Sequence, residues 1–101
     1  MLRCSWCMKK IKENNECLGL GVKFKNEVAF KQAQGTIQSI FLASRNTSVP
    51  LIIVADNSEA KKQGQDGIFA LCSEKCGVQM KKTLTDETNL FKAIGEMMDL
   101  R

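Results

Sequence analysis

The chain has 101 residues, 44% hydrophobic and 26% charged, with a single proline, which is the size and make-up of one globular domain and excludes a multidomain enzyme. Five cysteines stand beside no histidine and no tyrosine, so Cys-His and Ser-His-Asp catalysis, histidine metal ligation and histidine pH sensing are all excluded. The formal charge of +4, from 15 basic and 11 acidic residues, permits an acidic partner without requiring one.

The sequence opens Met1-Leu2-Arg3-Cys4 with no apolar stretch of signal-peptide length, and its longest apolar run, Val49 to Ala55, is too short to span a bilayer. A cytoplasmic protein without a membrane partner is expected. After a cysteine-rich start, Cys17 to Phe24 alternates Leu18, Leu20, Val22 and Phe24 with glycine or polar residues, the period of a half-buried strand. Glu27 to Thr36 reads as a connector, since Gly35 interrupts the helical spacing of Phe30, Ala33 and Ile37. Thr36 to Ala43 reads as a strand, Ser44 to Ser48 as a hairpin loop, and Val49 to Ala55 as the clearest strand of the chain.

Asp56 to Gly64 begins with capping residues, continues with helix formers and stops at glycine, which fits a helix of one or two turns or a mobile loop. Gln65 to Leu71 gives another strand through Ile68, Phe69 and Leu71 and ends directly on Cys72. From Ser73 the spacing turns helical, with Cys76, Met80 and Leu84 four apart on one face and Val78 flanking. A second helix is expected from Asp86 to about Asp99, capped by Thr85, with an apolar stripe of Leu90, Phe91, Ile94, Met97 and Met98. These elements make an α+β fold: a small antiparallel or mixed β-sheet between a cysteine knuckle and two C-terminal helices, all within one domain spanning residues 1–101.

The cysteines fall into two close pairs. Cys4 and Cys7 form a C-x2-C pair, Cys72 and Cys76 a C-x3-C pair at a strand-to-helix junction, and 64 residues separate them. In a reducing compartment such pairs hold metals or do redox work rather than form structural disulfides. Two thiolates on a tight turn grip one edge of a tetrahedral ion and a second pair completes the shell, so one structural Zn2+ per chain is expected on Cys4, Cys7, Cys72 and Cys76. Ser73 can cap the helix that begins there, placing Cys76 in its first turn among unpaired N–H groups that favour a thiolate. Four thiolates and one divalent cation would lower the net charge from +4 to +2. Cys17 is left over, either a small buried hydrophobe or a replacement ligand.

At these residues the chain resembles a treble-clef zinc finger, with a C-x2-C knuckle, intervening strands and a second pair opening a helix. Cys4-Ser5-Trp6-Cys7 followed by Lys9 is similar to the zinc-binding domain that opens Clp-type unfoldase subunits, and Cys72 to Cys76 is similar to TRASH or MYM-type fingers. Met8 stands where such families usually have glycine, and their pairs are usually a few tens of residues apart. The resemblance implies the ligand role of the four cysteines and no particular partner or activity.

Four protein ligands leave no open coordination position, the acids Asp56, Asp66 and Asp86 lie at turns, and the loop Lys61 to Gly67 lacks phosphate-cradling spacing. Binding rather than catalysis is therefore expected. The first reading is a protein-interaction module or adaptor presenting Trp6, with Lys9 and Lys10 beside it, or the Met97 and Met98 end of the last helix, to a protein partner or a second copy. A nucleic-acid-binding finger is the alternative, because residues 1–31 hold seven basic and three acidic residues. A thiol redox or metal-sensing role is the third.

Overall fold

The computed structural model of the chain describes residues 3–12, 17–25, 32–87 and 91–99. Five strands, β1 (Leu18–Phe24), β2 (Ile37–Leu42), β3 (Thr47–Ile53), β4 (Gly67–Leu71) and β5 (Phe91–Asp99), form one antiparallel sheet in the order β2-β3-β4-β1-β5. The short helix α1 (Glu59–Lys62) lies between β3 and β4, and α2 (Glu74–Thr85) between β4 and β5. The expected α+β class and the four expected strands are present, the hairpin joining β2 and β3 turns at 43–46, and part of the expected connector, 27–31, lies outside the described residues.

The alternation read in the sequence decides which face of the sheet is buried. Leu18, Leu20 and Val22 of β1 pair with Leu71, Phe69 and Gly67 of β4, and Ile40 of β2 pairs with Val49 of β3, so these residues share one face. Leu20, Leu51, Phe69 and Leu71 on that face are fully buried, each worth about 1.5–3 kcal/mol of apolar transfer. Helix α2 covers this face with Met80 and Leu84, both buried, while Val78 on its outer side is exposed. Gly77 lets the helix approach β5, because a Cβ there would overlap Met97 Sδ.

Each helix begins on a serine. Ser58 accepts from the Lys61 N–H and Ser73 from the Cys76 N–H, which satisfies donors that the first turns would leave open. Two buried carboxylates tie loops to the sheet. Asp66 accepts from the Phe24 N–H and pairs with Lys61, and Glu87, just past α2, accepts from both the N–H and the hydroxyl of Ser44 in the β2–β3 turn.

Where the second C-terminal helix is expected, Phe91–Asp99 forms a strand, and Leu90 of the expected stripe lies outside the described residues. Thr85 ends α2 instead of capping a new helix, donating its hydroxyl to the Lys81 carbonyl, and Phe91–Asp99 pairs with β1 along its length. Met97 and Met98 therefore lie in a sheet strand and present no helix end. The misreading has a physical source. The β1–β5 register shifts twice, between Leu20/Val22 and between Lys23/Phe24, each time by one extra residue on β5. Phe91, Ile94 and Met97 thus meet Phe24, Val22 and Leu20 on the core face although they are three apart in sequence. Two bulges turn a period of two into a spacing of three, which mimics a helical stripe.

Candidate metal centre

Residues 3 to 10 fold back on themselves as a miniature hairpin. Arg3 bridges Lys10 in antiparallel fashion, the Cys4 N–H donates to the Lys9 carbonyl at 2.9 Å, and the Met8 N–H donates to the Cys4 carbonyl at 2.9 Å. The Arg3 guanidinium closes the turn by donating to the Met8 carbonyl at 3.0 Å. Met8 has φ +66°, the left-handed conformation that glycine adopts most easily. Met8, which stands where the resemblance would put glycine, is thus held in the backbone state that glycine favours.

Ser5 anchors this hairpin to the sheet. Strands β3 and β4 pair only through Ile52 with Ile68 and Ile53 with Gly67, and beyond that point Pro50 has no N–H to offer its neighbour. Ser5 enters there, its N–H donating to the Ala70 carbonyl at 2.8 Å and its hydroxyl to the Pro50 carbonyl at 2.7 Å. It is fully buried. Because Ala70 lies two residues before Cys72, the same contact that seats the knuckle also sets it against the second cysteine pair.

The outcome is a cluster of four sulfurs. One Sγ each from Cys4, Cys7, Cys72 and Cys76 lies within 4.8 Å of the others, with Cys7 3.5 Å from Cys72 and Cys72 3.7 Å from Cys76. A tetrahedron with metal–sulfur arms of about 2.3 Å has edges of about 3.8 Å, so four cysteines at these separations could hold a metal ion such as zinc. Cys4 is buried in the core, Cys72 and Cys76 are partly covered, and Cys7 faces solvent. Cys17 is buried and stands outside the cluster.

The thiols are not equivalent. Burial opposes ionisation of Cys4, but hydrogen bonds from the backbone N–H groups of Cys7, Cys72 and Trp6 and from the Cys7 thiol outweigh it and lower the group from 9.0 to about 7. Cys72 is pushed up to about 12, first by burial, then by hydrogen bonding to Cys7, Cys76 and Cys4 and by the charge of Cys4. Cys76 is raised as well, chiefly by burial, with Ser73 and Cys72 pulling the other way. A Cys4 thiol lowered toward neutrality by the groups that donate to it makes the cluster a site that can exchange protons for a cation.

Trp6 is half-buried against the core, and the Arg45 guanidinium from the β2–β3 turn stacks 3.8 Å from its ring centroid. Lys9 and Lys10 are exposed on the return strand of the knuckle hairpin. Sequence reasoning missed Ser5 and Arg45. A proline inside the clearest strand was the available signal for Ser5, since an interrupted ladder needs a donor from elsewhere. No local pattern marks Arg45. Among the described residues no helix is long and apolar enough to cross a membrane. Comparison with known proteins finds no matching family model, curated protein or solved structure.

Proposed function

We propose that the chain is a small zinc-binding domain in which Cys4, Cys7, Cys72 and Cys76 close one structural site, and that it acts as a protein-interaction module or adaptor. The observation that carries this reading is the convergence of four sulfurs within 4.8 Å from two ends of the fold. An all-thiolate tetrahedral set suits zinc, and four protein ligands leave no position for water or substrate. Its knuckle and its helix-opening pair are the two halves of a treble-clef site, here joined through a larger sheet. Trp6, with Lys9 and Lys10 beside it, remains the proposed contact region for a partner.

Replacing one ligand tests the site. Cys76→Ser is expected to abolish stoichiometric zinc and the cooperative thermal transition, whereas Cys17→Ser retains both. Equal zinc content in the two variants would overturn the assignment. Absence of retention on nucleic acid at low salt would favour the interaction module over a nucleic-acid finger, because phosphate contacts are strongest there.

A further inference from the structure

The four clustered sulfurs differ in what can reach them. Cys7 faces solvent, Cys72 and Cys76 are partly covered, and Cys4 is fully buried. An oxidant arriving through water therefore meets Cys7 first. The Cys7 sulfur lies 3.5 Å from that of Cys72, a member of the opposite pair. Forming an S–S bond asks the two to close by about 1.5 Å, a shift that side-chain rotation at an exposed turn can supply. Cys4, the other member of its own pair, accepts from the backbone N–H groups of Cys7, Cys72 and Trp6, which hold that sulfur in place and weaken it as a nucleophile. Cys76 touches Cys72 at 3.7 Å, yet neither of those two is as open to solvent as Cys7.

We propose that the cluster is a peroxide-responsive switch in which Cys7 takes the oxidant and Cys72 resolves it, forming a Cys7–Cys72 disulfide that expels the metal ion. Metal binding keeps both sulfurs as thiolates, and coordination slows their attack on an oxidant without abolishing it. Cys7 Sγ attacks one oxygen of hydrogen peroxide, the O–O bond breaks and hydroxide leaves, giving a sulfenic acid. Cys72 Sγ then attacks Cys7 Sγ, the S–O bond breaks and a second hydroxide leaves. With two protons from solvent, two thiolates and one peroxide give one disulfide and two waters, the sulfurs losing the two electrons that peroxide gains. Cys4 and Cys76 then remain, two ligands where a closed site needs four. The new bond spans the same 64-residue interval that the metal closes, whereas a disulfide within either close pair would leave it open. Oxidation thus exchanges one cross-link for another, releasing the ion while the knuckle stays tied to the end of β4. Release of the ion rests on the zinc reading proposed above, and the pairing rests on the sulfur positions alone.

The test treats wild-type protein of measured zinc content with excess hydrogen peroxide, alkylates the remaining thiols and maps the disulfide by protease digestion and mass spectrometry. The expected product has Cys7 bonded to Cys72, an intact mass lower by two hydrogens, and one zinc released to a chromophoric chelator per disulfide formed. Dithiothreitol with added zinc should restore the starting protein. The oxidised chain should keep a cooperative thermal transition that reduced protein stripped by a chelator lacks. A disulfide within either close pair, sulfinic acid at Cys7 in place of a disulfide, unoxidised cluster thiols, or a Cys7–Cys72 bond formed with zinc retained overturns the proposal. Zinc absent before treatment overturns the metal reading instead, and the disulfide map then still decides the pairing.

Discussion

Ser5 is a case of one side chain completing a defect that another residue creates. Pro50 interrupts the ladder between β3 and β4, and the Ser5 N–H and hydroxyl supply the donors that the Ala70 and Pro50 carbonyls lack. Ser5→Ala keeps the backbone donor but leaves a buried carbonyl unsatisfied, so a loss of about 1–3 kcal/mol in denaturant unfolding of the metal-bound protein is expected. Ser5→Thr, which restores the hydroxyl, should lose less. The thiols make a second residue-scale prediction. Near neutrality Cys72 and Cys76, both raised, hold protons that a metal must displace, so metal affinity is expected to rise with pH. Below about 7 the Cys4 thiol is protonated too and adds to the protons released, so the slope steepens there. Competition with a chromophoric chelator at a series of pH values measures this, and an affinity independent of pH would contradict it.

At the level of elements, what the sequence disclosed depends on whether the pattern is local. Strands β1 to β4 were legible because each has period-two alternation or a short apolar run between turn residues, and α2 because Ser73 caps it and Met80 and Leu84 recur at helical spacing. Strand β5 was not legible, because its two bulges arise from pairing with β1 and leave only a spacing of three to read. The contact between α2 and β5 can be tested at Gly77. Alanine there gains about 1 kcal/mol of helix propensity, but its Cβ would meet Met97 Sδ. Gly77→Ala alone is expected to lower the thermal midpoint, and in a Met97→Ala background the same substitution should raise it. A stabilising effect in both backgrounds would show that helix and strand are not in close approach.

Across the whole molecule the four cysteines link the knuckle to the start of α2, so a cation held there would close a loop over most of the sheet. Such closure removes much of the freedom of the unfolded chain, and metal-binding energy then becomes folding energy. The site was legible because close cysteine pairs in a chain without histidine have few other uses. Its seating was not, since Ser5 on Ala70 and Arg45 on Trp6 are contacts made only once the sheet exists. Together these features describe a fold whose four clustered cysteines could hold a metal ion, with one charged sheet edge, one uncharged edge and a tryptophan-bearing knuckle.

The most direct test is elemental analysis of the untagged protein combined with counting of reactive thiols under native conditions. One zinc per chain, with Cys7, despite its exposure, and the other three clustered cysteines protected until a chelator is added, is the expected result. Metal-free folded protein whose clustered thiols react freely would contradict a structural metal site.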